Sequence, residues 1–376
     1  MKRATITCLG TWLLVLFPVW AAEVTIEKTA YGGWPNCYRL TNGEIEAVVT
    51  TDVGPHVMRF GFVGRHVVDA LKRGYRFGFV GGQNLLKEYD DQLGKTGGEE
   101  WRIYGGHRLW HAPEEKPRTY APDNSPVAAA VKEGVLTLLQ PVEERTGIQK
   151  TIAVTMETDA NALTIVHTLA NENPWDITLA PWALTVMAPG GRLILPQEPH
   201  IPHAEKLLPA RPVVLWHYTD MSDPRWTWGR KYIQLRQDDA AEGAQKAGVR
   251  NSLGWAAYSL DGDLFLKRFP LYADEAYPDF GCNFETYTGR GMLEVESLGP
   301  LTSIAANGGT VYHAERWFLF KCRPGETEES IDANVLPLVE QSNAAIARQL
   351  EEESAANGAP RRKLLLRAWG IPEAEG

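Results

Sequence analysis

The sequence predicts an all-β fold, a large antiparallel sandwich followed by short C-terminal helices, and three observations predict it. The 35 glycines and 24 prolines are scattered as turn punctuation between short apolar runs, not gathered in one low-complexity stretch. Runs of alternating or β-branched character recur at 45–50, 56–62, 135–139, 148–156, 163–169, 177–186, 232–236, 264–268, 292–297 and 311–321. Helical spacing is confined to the end, where Ile331, Val335, Leu338, Val339, Ile346 and Leu350 recur after Thr327, interrupted at Pro337. A chain of 376 residues has room for two domains, yet no linker or internal repeat divides it, and all-β domains run past ~200 residues as one unit.

The first residues read as a cleavable export signal over 1–22. Lys2 and Arg3 give a positive start, 13–17 form an apolar core, and Val19-Trp20-Ala21-Ala22 ends in the small residues a signal peptidase prefers. Cleavage is expected after Ala21 or Ala22, which makes the mature chain periplasmic or secreted. The apolar core is shorter than the ~20 residues of a membrane span, and nothing later approaches that length, so no span is expected. The sandwich is assigned to 23–325, the helices to 326–353 at a sheet edge, and the charged, Ala-rich 354–376 to a flexible tail.

Cys37, Cys282 and Cys322 remain after cleavage, an odd set that allows at most one disulfide and has no zinc-finger spacing. The formal charge of −9 becomes −11 once Lys2 and Arg3 leave. The one dense basic cluster is Arg361-Arg362-Lys363, so a nucleic-acid partner is not expected and a neutral small molecule suits the surface better.

One stretch does not read as strand. Residues 69–124 are rich in Gly, Trp, Tyr, His and charge, and irregular segments of that length are usually functional or disordered; the aromatics argue against disorder. Within it, Tyr104-Gly-Gly-His-Arg-Leu-Trp-His-Ala-Pro-Glu114 puts His107, Arg108, Trp110 and His111 close together, with Arg118 just after. Gly105 and Gly106 allow close backbone approach or unusual dihedrals. Imidazole, guanidinium and indole side by side suit a saccharide, which offers hydroxyls and a flat apolar face. His107, His111 and Glu114 could ligate a metal on a helix, but Gly106 and Pro113 bracket the segment against one, and proton chemistry, substrate hydrogen bonding and plain loop packing stay open. Trp110 reads equally as platform or core. No metal centre and no cofactor are expected.

A second candidate is 292–300. As a strand it projects Glu294 and Glu296 from one face, where neighbouring carboxylates raise each other's pKa; a solvated strand face is the alternative. Just upstream, Asn283, Glu285 and Tyr287 alternate onto one face, and Trp216, His217, Tyr218, Trp226 and Trp228 add aromatic surface suited to sugar stacking or to core filling. No G-x-S-x-G, Walker loop, G-x-G-x-x-G or H-E-x-x-H is present.

On these residues the chain resembles the galactose mutarotase-like superfamily, and within it a bacterial family marked by Gly-Gly-His-Arg-Leu-Trp. The opening Leu40-Thr-Asn-Gly-Glu-Ile-Glu-Ala-Val-Val-Thr-Thr-Asp-Val-Gly54 looks like its first strands, and the stretches from Leu293 to Pro300 and from Ala314 to Phe320 look like its closing ones. The resemblance implies an antiparallel β-supersandwich with a sugar groove on one sheet. It implies Glu294 as the base that takes the anomeric hydroxyl proton, in an aldose epimerase-like reaction. Glu296 stands where that motif has Gln. The central His that protonates the ring oxygen is missing, and Pro181 and Trp182 hold its place, which leaves His107 or His111 as acid or the protein as a non-catalytic carbohydrate-binding module. Arg108, Trp110, Arg118, Trp182, Glu285 and Glu296 are then expected to bind the saccharide.

Overall fold

Alternation between facing sides decides the architecture, and β8 shows it most plainly: from Ile148 to Met156 every second residue is buried. The structure is a computed structural model that describes residues 23–64, 83–357 and 362–371. The expected signal segment, and 69–82 of the irregular stretch, lie outside the described residues.

In chain order the first strands are β1 Thr25–Tyr31, β2 Trp34–Thr41, β3 Ile45–Thr50, β4 His56–Phe62, β5 His107–Ala112, β6 Ala128–Lys132 and β7 Val135–Leu139. Then come β8 Ile148–Met156, β9 Ala162–Asn171, β10 Ile177–Met187, β11 Arg192–Pro196, β12 Val213–Leu215, β13 Trp226–Trp228 and β14 Tyr232–Arg236. The last are β15 Gln245–Val249, β16 Trp255–Leu260, β17 Asp263–Arg268, β18 Phe284–Gly289, β19 Met292–Leu298, β20 Thr302–Ile304 and β21 Gly309–Lys321. Among the described residues they form two antiparallel sheets. The first runs β1-β2-β3-β4-β5-β10-β19-β18-β15-β12, with β20 beside β10; the second runs β13-β14-β11-β16-β17-β21-β9-β8-β7-β6.

The sheets stack on one apolar core. Leu40, Val49, Phe60, Leu109, Phe284 and Val295 from the first meet Ile152, Leu163, Phe265 and Leu319 from the second. Phe60 sits with its ring centroid 6.0 Å from Phe265 and 5.7 Å from Trp317. Burial on this scale is the dominant favourable contribution to the fold.

Two expectations change at the C-terminus. Helices α1 Glu328–Asn334 and α2 Leu336–Asn357 do not cap a sheet edge. Their Ile331, Val335, Val339, Ile346 and Leu350 cover the outer face of the second sheet, against Ile194, Trp255, Leu264 and Phe318. Pro337 falls in the first turn of α2, where its missing N–H has no intrahelical bond to make, so the interruption is a junction between helices. Within the expected tail, the described residues 362–371 differ from the frayed end expected. Helix α3 Arg362–Ala368 brings Leu366, Trp369 and Ile371 back onto the same apolar layer, and buried Arg268 donates from Nη2 to the Trp369 carbonyl at 2.7 Å. Cys37, Cys282 and Cys322 are free thiols.

Candidate functional site

The segment 107–112 is a central strand, not irregular structure. β5 pairs with β10 in register from His107 against Thr185 to Ala112 against Ala180. Its entry needs both glycines. Gly105 and Gly106 have φ of +95° and +67°, and a Cβ would lie 2.0 Å from the Lys87 carbonyl oxygen and 2.2 Å from that of Val57, respectively. The unusual dihedrals foreseen from the sequence therefore serve close packing of backbone on backbone.

Strand geometry then sorts the motif by face. Arg108 and Trp110 point outward from the sandwich, while His107, Leu109 and His111 point between the sheets. On the outer face the register aligns Arg108 with Leu184 and then Glu296, Trp110 with Trp182, Glu296 with Glu285, and Glu294 with Tyr287, which faces Lys246. Five strands, of which only β18 and β19 are neighbours in sequence, thus build one charged and aromatic floor.

The contacts are specific. Arg108 Nη2 donates to Glu294 Oε1 at 3.1 Å, and its guanidinium lies 4.7 Å from the Trp110 ring and 5.5 Å from Trp101. Trp182 Nε1 donates to Glu296 Oε2 at 2.9 Å. Lys246 Nζ lies 2.8 Å from Glu285 and 3.5 Å from Glu296, between the rings of Trp182 and Trp216 at 4.7 and 4.6 Å. Trp101, Trp110 and Tyr120 pack with centroids 5.0–5.5 Å apart. The charged members are all at least nine-tenths buried, while Trp101, Tyr120, Trp216 and Tyr287 are half-buried and Tyr218 is exposed at the rim. Arg108 Nε and Nη1, Glu285 Oε1 and Glu296 Oε1 are buried without a hydrogen-bond partner.

Electrostatics follow from the burial. It pushes Glu296 up to about 7; Lys246 opposes that rise and Glu294 adds to it. Burial lifts Glu285 well above the carboxylate range, with Lys246 opposing and Glu296 reinforcing. For Lys246 burial acts downward, but Glu296 and Glu285 outweigh it and keep the ammonium charged.

The two histidines do not join this group. Being on the strand's other face, they lie across the sheet from Glu294, which corrects the expectation of an acid beside that base. His167 Nδ1 sits 3.0 Å from the His313 carbonyl, so it carries a proton; His167 Nε2 is then bare and accepts from His107 Nε2 at 2.7 Å, while the Thr185 hydroxyl at 2.9 Å donates to His107 Nδ1. Burial, then His167, holds His107 well below the ordinary imidazole range. The chain continues through Glu315, which accepts from Lys267 at 2.7 Å, Trp317 Nε1 at 2.7 Å and Ser297 at 2.5 Å. His107, His167 and Glu315 are the one trio among the described residues with ligand atoms mutually within 4.8 Å. Hydrogen bonds already satisfy them, and the Lys267 ammonium beside Glu315 opposes a second cation.

His111 is likewise internal, 3.5 Å from Glu143, and burial lowers its pKa against the opposing pull of Glu143. Arg118 lies against it, Nη1 to His111 Nδ1 at 2.6 Å, and Nη2 donates to the Pro113 carbonyl. Arg118 is therefore a partner of the inner network and not of the outer floor. Glu114 accepts from Tyr120, so His107, His111 and Glu114 do not converge as ligands.

No protein-family model and no curated protein matches the chain. Solved structures do match. A TPR-domain containing protein from Parabacteroides distasonis superposes with a TM-score of 0.51 at 12% identity, over 77% of this chain and 48% of that one, so the chain spans about half of that protein. The chain is similar in structure to galactose mutarotase-like proteins. One from Lactobacillus casei gives a TM-score of 0.45 at 9% identity, over 76% of this chain and 100% of that one. One from Clostridium acetobutylicum gives 0.41 at 8% identity, over 80% and 99%. At these identities the likeness is one of fold.

Lys246 is the charged member of the floor that sequence reading missed, and Trp101 the aromatic one. In Gln245-Lys-Ala-Gly-Val249 a lone lysine reads as solvent-facing, yet Ala247 and Val249 belong to the core, and period two sends Lys246 and Gly248 to the face that carries Glu285. Gly248 stands directly opposite Glu285, and a Cβ there would come 2.6 Å from Cys282 Sγ.

Proposed function

We propose that the protein is an exported carbohydrate-active protein that binds a neutral saccharide over the outer face of the first sheet and carries out acid/base chemistry at its anomeric centre. The observation that supports this most is the mixed set of buried atoms without partners. Arg108 offers two donors there and Glu285 and Glu296 an unpartnered carboxyl oxygen each, and a hydroxyl can donate or accept as each requires. Leaving such atoms unsatisfied costs about 1–3 kcal/mol apiece, so a polyhydroxylated ligand has something to gain at each. The half-buried rings of Trp101, Tyr120 and Trp216 beside them offer apolar faces for sugar C–H groups.

Glu294 takes the base role in this reading. A single bond from Arg108 orients its carboxylate and leaves lone pairs free for the anomeric hydroxyl proton. The leader-like 1–22 supports action outside the cytoplasm. The test follows anomer interconversion of a panel of aldoses by polarimetry or NMR, with wild type and Glu294→Gln. Acceleration by wild type, lost in the variant, supports the reading. No acceleration on any sugar, with saccharide-induced thermal stabilisation retained, reduces the protein to a binding module, and neither effect removes carbohydrate altogether.

A further inference from the structure

We propose that Glu296 is the proton donor to the ring oxygen, drawing on a proton that the facing carboxylates Glu285 and Glu296 keep between them because only one lysine serves both. The assignment rests on the carbohydrate reading above and supplies the acid that the resemblance leaves without a histidine.

Charge and register carry it. Arg108 and Lys246 are the two cations of the floor, against the three carboxylates Glu285, Glu294 and Glu296. Arg108 is committed to Glu294, leaving Lys246 for the other two. Glu285 and Glu296 are direct cross-strand partners, with side chains on one face of adjacent antiparallel strands, where like charges repel at close range. Both are fully buried, and a second uncompensated anion there is far more costly than a retained proton. The atoms also differ within Glu296. Oε2 receives Trp182 Nε1 and has Lys246 at 3.5 Å, whereas Oε1 has no partner, so Oε1 is the oxygen that carries a transferable proton. Burial lifts both carboxyls, Glu285 the further, so the pair as a whole retains a proton; Lys246, 2.8 Å from Glu285 against 3.5 Å from Glu296, draws the negative charge to Glu285 and leaves that proton to Glu296.

The groups that set this proton come from every neighbouring element. Lys246 lies on β15, Glu285 and Tyr287 on β18, Glu294 on the same strand as Glu296, Trp182 on β10 and Arg108 on β5. Tyr218 approaches from the rim, Asp279 acts on Glu285, and Lys267 reaches Glu296 from the other side of the sheet.

The step balances. Glu294 removes the proton of the anomeric hydroxyl, the C1–O bond to the ring oxygen breaks as C1=O forms, and the ring oxygen takes the electron pair and the Glu296 proton. Rotation about C1–C2 and the reverse transfers close the other anomer, returning both carboxyls to their starting states.

The experiment combines a rate profile with a readout that needs no sugar. In wild type the rate falls as pH rises through about 7, when Glu296 loses its proton. Glu296→Gln keeps the shape and an acceptor for Trp182 but lowers the rate by about 100-fold or more and abolishes that limb. Glu285→Gln leaves Lys246 to Glu296 alone and shifts the limb to lower pH. Infrared spectra of protein with isotope-labelled glutamate show a protonated carboxyl at about pH 6 that is absent from Glu296→Gln. Turnover with an unchanged limb and rate in Glu296→Gln overturns the assignment while leaving the carbohydrate reading intact. A titrating Glu296 carboxyl with no aldose turned over defeats the donor role together with the reading it rests on.

Discussion

The Lys267–Glu315 pair between the sheets allows a quantitative test of how the sandwich tolerates a polar centre. Both side chains are fully buried, with Nζ 2.7 Å from Oε1. At an effective dielectric constant of ~20 their attraction is about 6 kcal/mol, much of it offset by taking both charges out of water. Lys267→Met strands the carboxylate with only Trp317 Nε1 and Ser297 to hold it. The expected loss is about 3–5 kcal/mol, a fifth or more of an ordinary domain's ~5–15 kcal/mol. In the native protein burial would raise Glu315, but Lys267 and the histidines outweigh it and hold the carboxyl below its usual value. In the variant the sign reverses: the folded-state pKa rises above the unfolded one, so the group favours folding at low pH and that contribution is lost as pH rises. Denaturant unfolding at about pH 5.5 and about pH 8 should therefore show the larger deficit at the higher pH. The double variant Lys267→Met/Glu315→Gln should recover a coupling of at least ~1 kcal/mol. A single-variant loss under ~1 kcal/mol, equal at both pH values, would refute the account of this pair as mutually dependent.

Three further outcomes are expected. Gly106→Ala places a Cβ 2.2 Å from the Val57 carbonyl oxygen at φ +67°, and a loss of about 3 kcal/mol or more by thermal or denaturant unfolding is predicted, whereas Gly134→Ala, with nothing within 4 Å of the added atom, bears only the left-handed strain of ~1–2 kcal/mol. Burial would raise Glu143, but Lys150 at 2.5 Å and His111 hold it down at about 2, so its stabilisation is present above the ordinary carboxylate pKa and lost as pH falls toward 2. That amounts to about 3 kcal/mol, and Glu143→Gln should flatten acid unfolding between about pH 5 and 2. Ending the chain after Asn357 removes Leu366, Trp369 and Ile371 from the second sheet's outer layer and the Arg268 bond to Trp369, and should lower the melting temperature by several degrees in differential scanning fluorimetry.

Strands such as 148–156 were legible because one face is apolar and the other half-exposed, which is the pattern that period two writes into sequence. β5 was not, because His-Arg-Leu-Trp-His-Ala is buried on both faces and polar on both, one meeting the inner histidine network and the other the outer floor. The same misreading misplaced the acid. Adjacent histidines look available to Arg108 when the segment is taken as a loop, but a strand sends odd and even positions apart. Glu294, Glu296 and Glu285 could be read onto one face because their spacing is even within strands that were recognised or proposed. Lys246 could not, since nothing local distinguishes a lysine that faces buried carboxylates from one that faces water.

Arg108, Trp182, Lys246, Glu285 and Glu294 stand on strands that enter the sheet between residues 107 and 298, in an order different from that of the chain. The hairpin of β18 and β19 brings Glu285, Glu294 and Glu296 together by itself, but Arg108, Trp182 and Lys246 reach them only when that hairpin has inserted between β10 and β15. Such long-range pairing forms slowly. On the proposed reading, ligand capture would for that reason gauge finished maturation: a molecule that held a saccharide there would have β5, β10, β19, β18 and β15 in place, and the saccharide would in turn stabilise those strands.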